Sequence, residues 1–375
     1  MLLHHLELTD YRNYRELAVD FDARKVILLG DNAQGKSNVL EAIGLIATGK
    51  SPTAPRDADL VRWGEQQAIL RARATREAGE LALDMLVRAS GRRAFRLNGL
   101  PQRRLADVLG RLLVVFFRSE DLNLVKGGPG ERRELLDTML MQLSGAYHTQ
   151  LADYGRVLTQ RNHLLRAIAE GRSPLALLEA FDEQLIALAL GIWGRRHRLV
   201  VALEPRVASR HAAIAEGREV ISLRYVPAVR FEGPPEGWEP QLRQALAAQQ
   251  RQELARGQSL VGPHRDDLEL LIDGRPAKVF GSQGQQRTVV LALKLAELEH
   301  LQEATGEAPL LLLDDVLAEL DVRRQNALLA SIGDGVQTFV TSTHLNDFSA
   351  AWLDTAALFT VRAGELSRSA APGAG

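Results

Sequence analysis

Cysteine is absent from the 375 residues. That excludes disulfides, thiol catalysis and a thiolate metal site, and points to a cytoplasmic protein. No apolar run approaches the ~18–20 residues needed to cross a bilayer. Met1 to Arg12 lacks the charged-then-apolar layout of a signal peptide, so no membrane association is expected. The nine histidines show no metal-ligand spacing, which argues against a zinc site. Charge of a single sign is missing too. The 46 basic residues face 47 acidic ones, for a net charge of −1. This excludes a wholly basic nucleic-acid binder but leaves room for one basic face. Lysine is scarce, six residues against 40 arginines. A GC-rich genome favours arginine codons, and arginine forks also suit phosphate.

What is present is an ordinary globular mixture, 46% hydrophobic and 25% charged. The length suits two domains, or one large domain with an inserted lobe. Over residues 1–130 the pattern is mixed. Leu17, Val19 and Phe21 alternate as in a half-buried strand, as do Leu81, Leu83, Met85 and Val87. Val26 to Leu29 and Val114 to Phe117 read as buried strands, and Asn98-Gly99 marks a hairpin. From 131 to 258 the period becomes helical, with Leu135, Leu136, Met139, Leu140 and Leu143 at i, i+3, i+4 spacing and a third stretch over 175–203. Heptads fade within two or three repeats, so a long coiled coil is not expected. The strand-rich style returns over 259–366. Leu268 to Ile272 and Ala277 to Phe280 flank an Asp273-Gly274 turn, a helix covers 284–303, and Leu310 to Leu313 and Thr338 to Thr341 read as strands. Residues 367–375 are small and polar and are expected to be disordered. The expected architecture is an α/β domain interrupted by a helical lobe, its two halves meeting in space.

The sharpest motif is Gly30-Asp31-Asn32-Ala33-Gln34-Gly35-Lys36-Ser37, a complete G-x-x-x-x-G-K-[ST] between an apolar strand and a helix that continues through Asn38. Successive backbone N–H groups and the helix N-terminus suit phosphate, Lys36 adds a point charge, and the Ser37 hydroxyl suits Mg²⁺. An ATP–Mg²⁺ site is therefore expected. Leu310 to Leu313 end in Asp314-Asp315. The first carboxylate suits the metal, and the second suits polarising or deprotonating an attacking water. Nearly the whole chain separates Lys36 from Asp314, which excludes a small GTPase or a simple nucleotide kinase.

Phe280-Gly281-Ser282-Gln283-Gly284-Gln285-Gln286-Arg287 opens a helix, and it resembles the signature motif of ATP-binding-cassette and SMC-type ATPases. Leu317 to Asp321 resembles their D-loop, and Thr341-Ser342-Thr343-His344 their switch histidine. Three further stretches resemble the RecF family: Tyr11-Arg12-Asn13-Tyr14, Pro129-Gly130-Glu131-Arg132-Arg133 with Asp137, and Gln160-Arg161-Asn162. So does Gly262-Pro263-His264-Arg265-Asp266. The resemblance covers residues 6 to about 346.

The resemblance implies an ATPase head with an inserted helical lobe. It also implies a weak, DNA-stimulated ATPase acting in recombinational repair, the SOS response and replication restart. The implied partners are DNA (single-stranded, gapped or a duplex junction), RecO and RecR in loading RecA, and a second copy in an ATP-dependent homodimer. Lys36, Asp315 and His344 would be catalytic, Ser37 and Asp314 would hold the metal, and the phosphate loop with Arg12 would bind nucleotide. Ser282, Gln283, Gly284, Gln285 and Asp321 would complete the neighbour's site. Family members carry Phe-Ser-Pro-Glu-Asp-Leu where this chain has Phe117 to Leu122, and related ATPases carry a glutamine there. Ser119 and Glu120 are the substitutes on offer. The alternative is an ATPase subunit driving another partner, disfavoured by the Asp-Asp pair, the helical lobe and the missing glutamine. The Arg195–Arg198 cluster, with Arg206 and Arg210, reads either as a solvated face or as a DNA-facing stripe.

Overall fold

The computed structural model describes residues 1–369. The described chain divides into two compact units, one of residues 1–122 with 290–369 and one of residues 123–289. The second crossing falls inside the helix Gln283–Thr305.

The first unit is built on two six-stranded sheets. One is antiparallel throughout, in the spatial order Tyr14–Asp20, Leu2–Tyr11, Gln67–Arg76, Gly79–Arg88, Ala94–Leu97, Leu100–Gln102. Its strict alternation buries Leu81, Leu83, Met85 and Val87 on one face, as the period of two requires. The hairpin turns at Asn98-Gly99, both with positive φ (49° and 79°).

The other sheet runs Glu365–Arg368, Ala356–Arg362, Lys25–Leu29, Thr338–Ser342, Leu310–Asp314, Val114–Arg118, and only its first pair is antiparallel. The strands Lys25–Leu29 and Leu310–Asp314 are near-continuous Val, Leu and Ile, as strands covered on both faces tend to be. Strands 25–29 and 338–342 lie side by side, so the two ends of the chain do form one domain. The helix Lys36–Thr48 is buried nearly all round, including Val39, Leu40, Ile43 and Ile46, and it contacts strands of both sheets. A helix apolar on every side must be enclosed.

The second unit contains the helices Pro129–Leu143, Gly145–Ala169, Leu178–Ala215 and Trp238–Arg256. The third is longer than the stretch read from sequence, because it continues through Pro205. The unit also has a three-stranded sheet, of which periodicity missed the strand Ile221–Val226. Ile221–Val226 pairs antiparallel with Asp267–Ile272, and the latter pairs with Arg275–Pro276 around the Asp273-Gly274 turn. This pairing draws residues 259–289 into the lobe, so the divisions fall at 122/123 and 289/290 rather than at 130/131 and 258/259. Ala277–Phe280 is a helical turn, not a strand. Pro276 has no N–H to extend a ladder at that point.

Arginine is structural here. Arg196 is 2% exposed and forks onto both oxygens of Asp137 (2.9 and 2.8 Å), reaching Asp266 at 3.1 Å. Asp266 also accepts from Trp193 Nε1, the Tyr225 hydroxyl and the Ala228 N–H. Arg161, equally buried, binds Asp182, Glu253 and Ser259. Arg196 is therefore withdrawn from any basic stripe, because so buried a guanidinium needs carboxylate partners. The Gly262–Asp266 and Pro129–Asp137 motifs supply those partners and their supports.

Of the expected disordered tail, Ser367 and Arg368 belong to the strand Glu365–Arg368, which pairs with Ala356–Arg362. Residues 370–375 lie outside the described residues.

Candidate nucleotide site

In the parallel sheet, Ser342 lies opposite Leu29, and Asp314 opposite Arg118. The carboxyl ends of four strands thus open at one edge, where open α/β sheets bind ligands.

The phosphate loop leaves its strand at Gly30 and enters the helix at Lys36. Gly35 has φ 115°, and a Cβ there would lie 2.6 Å from Asn13 Nδ2, so only glycine fits. The loop is braced from two sides. Asn13 Nδ2 donates to Gln34 O (3.0 Å), and the Tyr14 hydroxyl to Gly35 O (3.1 Å). From the other side, the N–H of Ala363 donates to Gln34 Oε1 (2.7 Å), and that of Gly364 to Gln34 O (3.1 Å). Lys36 is buried, with Nζ donating to Gly30 O (2.7 Å) and Asp31 O (3.0 Å).

Arg12 is held by its own neighbours. Its guanidinium binds both oxygens of Glu41 (2.8 and 2.7 Å), Asp59 O and Thr53. Burial would raise the Glu41 carboxyl, but hydrogen bonds from Arg12, Ser51, Thr53 and Tyr11 outweigh it and hold the pKa below the usual value. The neighbour Asn13 is what reaches the loop.

Asp314 Oδ1 accepts from the Ser37 hydroxyl at 2.8 Å and from Thr341 Oγ1 at 2.9 Å. Thr341 Oγ1 in turn accepts from the Asp315 N–H at 2.8 Å. Burial raises the pKa of Asp314. Hydrogen bonds from Ser37 and Thr341 oppose the rise, and the charges of Asp315 and Glu120 add to it. The Glu120 carboxylate therefore acts on this site, from the turn Ser119–Leu122 that follows Arg118. Asp315 holds φ 53°, a strained conformation for a non-glycine residue. Exposed His344 follows the same edge, its N–H bonded to the Ser342 hydroxyl (3.0 Å). Asp321 caps the helix Val322–Ser331, accepting from Arg324 N–H, and is ion-paired to the Arg324 side chain.

In the second unit Ser282 is exposed at the start of the helix Gln283–Thr305. Its N–H donates to Gln285 Oε1 (2.6 Å), and its hydroxyl accepts from Gln285 N–H (3.2 Å), a reciprocal cap. A hydroxyl accepting in this way keeps its own O–H to donate.

The residues fit ATP with Mg²⁺. The glycine cradle has no room for a Cβ, and a hydroxyl and a carboxylate 2.8 Å apart form an all-oxygen pair. Among the described residues no group of three or more His, Asp or Glu could hold a metal by itself. That suits Mg²⁺, which takes one or two protein oxygens plus phosphates. Sequence reading assigned Lys36, Ser37, Asp314 and Asp315 to one site; the structure bonds Ser37 to Asp314 and links Asp314 to Asp315 through Thr341. Sequence reading missed Thr341 as the hydroxyl joining the two aspartates, and the Gln34 brace from Ala363 and Gly364.

The RecF/RecN/SMC N terminal domain family matches residues 2–366. The DNA replication and repair protein RecF of Gloeobacter violaceus is 47% identical over 374 residues, covering 99% of this chain and 100% of its own. That of Acaryochloris marina is 47% identical over 370 residues, covering 98% and 99%. A solved structure of the recombination mediator protein RecF with ATP, of the RecFOR pathway, superimposes with a TM-score of 0.90 at 32% identity, covering 98% of each chain. An Smc head bound to the C-winged helix domain of ScpA shares the fold alone, at a TM-score of 0.56 and 17% identity over 98% and 97% of the two chains. With the phosphate loop, the acidic pair and the helix-opening Ser-Gln-Gly-Gln all in place on a head without a long coiled coil, the chain belongs to the RecF family.

Proposed function

We propose that this protein is an ATP-gated DNA-binding ATPase of DNA repair and replication. The observation that carries the reading is the 2.8 Å bond from Ser37 to Asp314, which joins the phosphate loop to the acidic strand across most of the chain. The ATP-bound relative supports the nucleotide, and the replication-and-repair relatives support the role.

Backbone N–H groups of residues 30–37 and the Lys36 ammonium would bind the phosphates. Ser37 and Asp314 would hold Mg²⁺, which would neutralise phosphate charge. Asp315 would orient water and take its proton, with His344 near the terminal phosphate. Ser282, Gln283, Gly284, Gln285 and Asp321 would serve the nucleotide of a second copy. Two ATPs would thus lie between two chains related by a twofold axis. ATP then shifts the monomer–dimer balance through its higher affinity for the dimer, and weak hydrolysis releases it.

DNA would bind through arginine–phosphate contacts, which weaken steeply with salt. The resemblance to RecF extends the reading to RecO and RecR as partners at single-strand gaps, and to the cytoplasm as the site of action.

Sedimentation with ATP tests the sandwich. Wild type is expected to dimerise and Ser282→Arg to stay monomeric, and equal dimer fractions would discard it. Asp315→Asn is expected to keep ATP-dependent dimerisation while phosphate release falls by on the order of 10²–10⁴-fold. A rate within threefold of wild type would remove Asp315 from the chemistry.

A further inference from the structure

Gln285 does more than cap its own helix. While its Oε1 accepts from the Ser282 N–H, its Nε2 donates to Glu219 Oε1 at 2.8 Å. Glu219 lies in the turn between the helix Leu178–Ala215 and the strand Ile221–Val226, distant in sequence but in the same unit. Behind it stands His211, wholly buried, with neither ring nitrogen hydrogen-bonded and Nε2 3.9 Å from Glu219 Oε2. Burial lowers the His211 pKa against the pull of Glu219 and Asp273, so the ring stays neutral near pH 7. A neutral imidazole with no hydrogen bond leaves the carboxylate to Gln285.

We infer that Glu219 is a positioning residue for the helix-opening motif: by holding the Gln285 amide it fixes the cap that presents the Ser282 hydroxyl to a second copy's nucleotide. This rests on the dimer reading above and adds a residue to it. The orientation is self-consistent. The amide must offer oxygen to Ser282 N–H and nitrogen to a carboxylate, so the two bonds together fix which way Gln285 points. Without Glu219, the Nε2 end has no acceptor and the side chain can rotate away from Ser282. The phosphate loop belongs to the other unit and has no part in this network. The inference therefore separates assembly from nucleotide binding.

The test compares Glu219→Ala, Glu219→Gln and Ser282→Arg with wild type. A fluorescent ATP analogue titrated at low protein concentration reads nucleotide affinity, and sedimentation with ATP reads dimerisation. Glu219→Ala is expected to weaken the ATP-dependent dimer about tenfold, since two caps loosen in each dimer, with nucleotide affinity unchanged. Glu219→Gln, whose amide oxygen can still accept from Gln285, is expected to recover most of the loss. Full dimerisation of Glu219→Ala while Ser282→Arg stays monomeric would overturn the role of Glu219 alone. Failure of glutamine to rescue, or a parallel loss of nucleotide affinity, would also overturn it. Dimers persisting in both Ser282→Arg and Glu219→Ala would overturn the dimer reading beneath it.

Discussion

Lys36→Met is expected to weaken ATP binding by on the order of a hundredfold, the scale on which removing one preorganised charge from a phosphoryl site is felt. Two losses combine. The ammonium is the only side-chain cation of the loop, and it is enclosed at 4% exposure, where water screens it little. It also ties the loop shut, through Gly30 O at 2.7 Å and Asp31 O at 3.0 Å. Methionine has nearly the same length but leaves both carbonyls without that donor. Because the helix Lys36–Thr48 is anchored between two sheets, the fold should survive the change. Titration with a fluorescent ATP analogue, alongside circular dichroism, reads the effect. Affinity within threefold of wild type would refute the assignment of the loop.

The largest expected loss of stability is at Arg196→Met, about 3–5 kcal/mol, the cost of leaving buried carboxylates without their cation. Asp137 would lose two charge-assisted bonds and Asp266 one, and both carboxylates are buried. Arg198, two residues on but exposed, is the control, with Arg198→Met expected to stay within about 0.5 kcal/mol of wild type. Urea unfolding followed by tryptophan fluorescence measures both, since Trp193 donates to the same Asp266 carboxylate. Equal midpoints for the two variants would show the network to be dispensable.

These two residues mark the range of what periodicity and motif could convey. Lys36 was legible because its chemistry is local: consecutive backbone N–H groups, a helix start and one side chain make the phosphate cradle within eight residues. Arg196 was not legible. An arginine in Arg195-Arg196-His197-Arg198 gives no sign of facing inward, and only the arrival of Asp137 and Asp266 shows that it does. The strand Ile221–Val226 was lost for a similar reason. Its partner Asp267–Ile272 lies some forty residues on, so no short-range turn announced the pairing.

The sequence by itself determined that a phosphate loop, an acidic strand end and a helix-opening Ser-Gln-Gly-Gln occur in one chain with a helical insertion. Each is a short run whose side-chain types and backbone geometry are set by neighbours a few residues away. Tertiary structure alone decided that Ser37 meets Asp314, that Thr341 bridges the two aspartates, and that Asn13 rather than Arg12 braces the loop. It also decided that Glu219 holds Gln285. Those contacts follow from sheet register and helix packing across tens to hundreds of residues, and burial of the shared core, not local propensity, selects them.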